Sequence, residues 1–183
     1  MMPQVRGEVR NILIGIGENP DREGLRETPA RVERAYGEIF AGYGVDPADL
    51  LKTFTEGACE DMVMLKRCEF YSTCEHHLFP FFGHVSIGYI PNGKVIGVSK
   101  LARLVDCYSR RLQIQERMTT QIADAIFHGL DAKGVMVVCE GQHFYMTSRG
   151  VRKHDALMVT SAIRGVFKTS DALRNEFLQL ANS

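Results

Sequence analysis

The run Ser72-Thr73-Cys74-Glu75-His76-His77 sets a thiol, a carboxylate and two imidazoles at four consecutive positions. Each of these groups is costly to bury without a partner, so core packing does not explain their density. Any fold for this chain has to deliver the run to a loop or strand end where polar partners or a ligand meet it. Cys74 and His77, at i and i+3, can be aimed by one turn at a single metal ion. Thiolate with imidazole is a borderline-soft pair that suits Zn²⁺. Glu75 and His76 then stand beside the metal as proton carriers or substrate hydrogen-bonders. The alternative is a structural half-site or a surface turn with chance histidines, and the strongly apolar flanks argue against the latter. Two ligands do not complete a site, so a third must come from elsewhere in the chain.

The 183 residues suggest one domain, or one domain with an N-terminal helical appendage, divided as 1–45 and 46–183. A formal net charge of zero argues against a nucleic-acid footprint spread over the whole chain, while leaving room for a local basic pocket. Five irregularly spaced cysteines, with no signal peptide, read as free or metal-bound thiols in a reducing cytoplasm. No apolar run approaches the ~20 residues of a membrane span.

Val5, Val9, Ile12, Leu13 and Ile16 recur at helical spacing over 4–16. Thr28 as N-cap and Pro29 at the first helical position open a second helix, carrying Arg31 on its first turns and ended by Gly42. A strand begins at Met62 and runs toward Phe70, and the Cys74–His77 stretch is the loop out of it. Val85–Ile90 alternates as a strand and meets Asn92-Gly93, a tight-turn signal, with 94–98 as the return strand. Ser99 is an N-cap candidate for the next helix. A further helix spans about 114–130. Residues 135–146 read as one long strand with 158–167 as its hairpin partner, and Ser170 caps a last helix. The order predicts an α+β fold, an antiparallel four-stranded sheet with helices on one face.

Three segments stand in the order seen in GTP cyclohydrolase I: Cys74-Glu75-His76-His77, the run from Ile90 to Arg103, and Gln113-Ile114-Gln115-Glu116-Arg117. Val159-Thr160-Ser161 and Gly165-Val166-Phe167 continue the match. The chain resembles that family over roughly residues 10–180. The resemblance implies the tunnelling fold (T-fold), a homo-oligomer that is usually a decamer, and active sites between subunits. It implies a reaction in which the guanine five-membered ring of GTP is opened, C8 leaves as formate, and the ring recloses as dihydroneopterin triphosphate for folate or biopterin synthesis. It implies zinc on Cys74 and His77, acid/base roles for His76 and His143, and guanine recognition by Glu116 with Gln115 beside it. Glu75 belongs to the same substrate-binding set. Ser99, Lys100, Arg103, Arg149 and Arg31 match the family's phosphate residues. Several cations near a helix start also make an anion site on physical grounds.

One departure carries the most information. Relatives bear their third zinc ligand, a cysteine, two residues after the strand histidine; here that position is Tyr145. If the strand continues, His143 and Tyr145 share a face. Three readings are open. Tyr145 ligates the metal; another cysteine moves in, Cys68 or Cys139, the latter about 20 Å away along a strand; or the zinc site is weak, altered or absent. Leu157-Met158 stand where relatives carry small or polar residues, and His154 is a replacement ligand candidate. The expectation is therefore a cyclohydrolase of this type on GTP or a related purine nucleotide. Its rivals are a divergent paralogue with partial or altered ring hydrolysis and an inactive nucleotide-binding protein.

Overall fold

A computed structural model describes residues 3–57 and 59–183. The chain divides into two compact units, Met1–Ala41 and Gly42–Ser183. The first is a helical hairpin of α1 (Pro3–Gly15) and α2 (Thr28–Ile39), held by ion pairs from Arg6 to Glu33 and from Arg10 to Asp21. Thr28 is already helical. Glu27 takes the N-cap position without a side-chain bond, and the helix ends at Ile39 before Gly42 is reached. Arg31 is exposed on α2.

The second unit is built on a five-stranded sheet in the order β5-β2-β3-β6-β7. Its strands are β2 (Val63–Cys74), β3 (Pro80–Ile90), β5 (Leu112–Gln113), β6 (Gly134–His143) and β7 (Met158–Gly165). All neighbours are antiparallel except the short β5, which runs parallel to β2 and adds a fifth strand to the expected four. On one face Phe70, Phe81, Val85, Ile87, Tyr89, Val135, Val137 and Cys139 meet α3 (Val98–Ser109) and α4 (Gln115–Leu130). Leu101, Leu104, Met118, Ile122 and Ile126 come from those helices at the three-to-four spacing of an inward stripe. Each such side chain, fully buried, contributes about 1.5–3 kcal/mol. The opposite face is covered at one end by α6 (Asp171–Asn182), where Phe177 packs with Ile90, Met136 and Phe167. Helices therefore lie on both faces, where the sequence suggested one. Ser170 caps α6 as expected, accepting from the Leu173 amide.

Three local expectations are corrected. The segment after Asn92-Gly93 does not return along β3. Its strand β4 (Val95–Ile96) pairs instead with β1 (Thr53–Phe54), because the neighbours of β3 are already β2 and β6. Ser99 is the second residue of α3 and Gly97 holds the cap position, so Ser99 caps nothing. The long strand stops at His143, and Phe144–Thr147 forms a one-turn helix, α5. Among the described residues no helix is long and apolar enough to cross a membrane.

Candidate active site

The polar run lies at one end of the sheet, where Cys74 belongs to the face packed against α3 and α4. β2 reaches Cys74 itself, which is buried, and the chain then turns sharply. The Cys74 amide donates to the Phe79 carbonyl at 2.8 Å, and the Leu78 amide donates back to the Cys74 carbonyl at 2.9 Å. Leu78 adopts φ 55° to close this turn. The turn brings His77 Nδ1 to 3.7 Å from Cys74 Sγ. Burial, with the charges of Arg149 and His76, lowers the His77 pKa and favours the neutral imidazole that a metal requires.

Glu75 points to a partner that nothing local in the sequence signals. Its carboxylate accepts from Arg117 on α4, and that bond holds its pKa below the usual carboxylate range. Arg117 also donates to Gln113 Oε1 at 3.0 Å and to the Leu112 carbonyl at 3.1 Å. His76 is exposed and lies 3.9 Å from Glu75.

His143 ends β6 in register with Phe81, which is itself in register with Ser72. Its ring stacks face to face on Phe81, with centroids 4.6 Å apart. Its Nε2 lies 3.0 Å from Gln115 Oε1. The orientation of that amide is set, because Gln115 Nε2 donates to the carbonyls of Cys139 (3.0 Å) and Met158 (2.9 Å) and to Thr160 Oγ1 (3.2 Å). The Gln115 oxygen must then accept from His143 Nε2–H, and His143 Nδ1 carries the lone pair. That Nδ1 is buried and has no protein partner, a state it shares among the described residues with Ser72 Oγ. Burial lowers the His143 pKa, and the nearby Glu116 charge offsets part of this. Gly141 leaves room for the arrangement, since a Cβ there would lie 2.3 Å from Gln115 Oε1. Gln115, expected beside the guanine, thus has its amide engaged by His143 and the β6–β7 ladder. Thr160 also belongs to this network, and nothing local in the sequence signals it.

Tyr145 is placed by α5 and not by strand parity. Its ring lies parallel to His77, with centroids 4.4 Å apart and planes at 15°, and edge-on to His143 at 5.6 Å. Among the described residues no three His, Cys, Asp or Glu side chains are arranged to hold a metal. Cys139 is packed in the core against Thr119 and Thr160, and its thiol pKa is pushed up to about 12 by burial. His154 is exposed, and its carbonyl accepts from Gln142 on the other face of β6. Two donors are in place and a third is not, so the residues do not fit a resident zinc with three protein ligands.

These contacts join Cys74, Glu75, His76, His77, Gln115, His143 and Tyr145, with the charges of Glu116 and Arg149 acting on the two rings. They do not include Ser99, Lys100 and Arg103, which occupy the first turns of α3, or Arg31 in the first unit.

The family model described as GTP cyclohydrolase I matches residues 5–182. A protein called GTP cyclohydrolase 1 from Thermobifida fusca is 55% identical over 180 residues, covering 97% of this chain and 87% of that one. A protein of the same name from Wolinella succinogenes is 54% identical over 171 residues, covering 93% and 91%. One from Mycolicibacterium vanbaalenii is 55% identical over 181 residues, covering 97% and 90%. With a family match across nearly its whole length and relatives at this identity, the chain belongs to the GTP cyclohydrolase I family.

Proposed function

We propose that this chain hydrolyses GTP to dihydroneopterin triphosphate and formate. The name of its relatives supports the reaction, and the observation that carries it in this chain is His143. This buried imidazole has its Nε2–H held by Gln115 and its Nδ1 without a protein partner. Such a nitrogen is set up to take and return a proton on a bound molecule. In this reading His143 and the exposed His76 shuttle protons during opening of the guanine five-membered ring and rearrangement of the ribose. Glu116 accepts from guanine N1–H and the 2-amino group. Glu75, held by Arg117, completes the substrate contacts. Ser99, Lys100, Arg103 and Arg149, with Arg31, neutralise the triphosphate. Cys74 and His77 are the donors toward a divalent ion, zinc or another. Product entry into folate synthesis, a cytoplasmic setting and a homodecamer belong to the same reading. The free cysteines accord with a reducing compartment, and exposed Tyr71, Leu157 and Val159 on and beside the sheet accord with assembly.

The test is mass spectrometry of GTP incubated with the protein and a divalent metal, with His143→Ala alongside. Dihydroneopterin triphosphate and formate from the unaltered chain only is the expected result. Intact GTP from both would overturn the reading.

A further inference from the structure

The 3.7 Å from Cys74 Sγ to His77 Nδ1 is the spacing of two ligands on one tetrahedral ion. Bonds of about 2.3 and 2.0 Å at the tetrahedral angle span roughly 3.5 Å. The turn therefore sets two donors at ligand spacing. Tyr145 sits flat on His77, so the ring presents its π face to the imidazole and its edge environment to His143. The chain leaves β6 immediately after His143, and α5 delivers the ring rather than the alternating strand. Cys139 and His154 are excluded as substitutes by their positions in the core and on the opposite side of the sheet edge.

We infer that Tyr145 is not a metal donor, and that Cys74 and His77, with no third His, Cys, Asp or Glu beside them among the described residues, do not retain a resident zinc; the Tyr145 ring instead fixes the plane of His77 by stacking. This is read from metal content, so it stands or falls independently of whether GTP is the substrate.

The experiment is zinc binding by the full chain, using competition with a chelator and elemental analysis, on the unaltered protein, Tyr145→Phe and Tyr145→Cys. The unaltered protein is expected to emerge from chelator dialysis with zinc far below one per chain. Tyr145→Phe keeps the ring and loses the oxygen, and should bind as the unaltered chain does. Tyr145→Cys should bind more tightly by at least the roughly 10–100-fold that a mere supporting partner of a ligand is worth. With Co²⁺ as probe, the thiolate charge-transfer absorption should be weak in the first two proteins and stronger in the third. Zinc retained at one per chain through dialysis by the unaltered protein would overturn the inference. So would loss of metal affinity in Tyr145→Phe, which would make the phenol oxygen a donor. Should Tyr145→Cys fail to fold, the comparison of the unaltered chain with Tyr145→Phe still decides.

Discussion

His143 and His77 face the same Tyr145 ring from two sides, yet they are held in different ways. His143 is fixed from three directions: the β6 ladder, the Phe81 face, and a Gln115 amide bonded to both β6 and β7. Its tautomer follows from hydrogen bonds that have no alternative arrangement. His77 is held by a four-residue turn and one ring stack, and its nearest donor is a thiol at 3.7 Å. The His143 side of the site is thus built into the sheet, and the His77 side rests on local backbone.

The largest effect expected is in the rigid half. His143→Ala should lower turnover by about 10²–10⁴-fold, the usual worth of a positioned proton carrier, with KM little changed. Gln115→Leu sharpens the comparison. If Gln115 orients His143, kcat should fall by roughly 10–100-fold while KM holds. A rise in KM alone would make Gln115 a guanine contact instead. Gly141→Ala forces a Cβ onto Gln115 Oε1 and should destabilise the protein by about 1–3 kcal/mol in urea unfolding.

The Cys139 thiol, behind the same half, makes a pH prediction. Its folded pKa of about 12 lies above the ordinary thiol value of 9.0, so the folded state holds this proton longer than the unfolded chain does. The corresponding stability is present in full below pH 9 and is lost progressively toward pH 12. Between pH 9 and pH 10 the loss should be about 1 kcal/mol, and Cys139→Ala should remove that part of the alkaline slope. In the His77 half, Tyr145→Phe should change stability by less than about 0.5 kcal/mol. A larger change would show that the Tyr145 hydroxyl is as deeply committed as the groups around His143, and the contrast between the two halves would fail.

What could be read from the sequence was what neighbouring residues decide among themselves. Helical spacing marked α1 and α4, alternation before Asn92-Gly93 marked β3, and 135–146 with 158–167 were legible as a hairpin pair, now β6 and β7. The Cys74–His77 stretch was legible as the turn out of a strand, and the ordered motifs marked the family. The substitution at Tyr145 was also visible, because it is a matter of position in a pattern. The tertiary structure alone decided that β4 pairs with β1, that α6 covers the second face of the sheet, and that the chain leaves β6 at His143. It alone decided which way the Gln115 amide points, and so which nitrogen of His143 is left open. Pairing partners and hydrogen-bond satisfaction depend on groups tens of residues apart in the chain, and local periodicity carries no record of them.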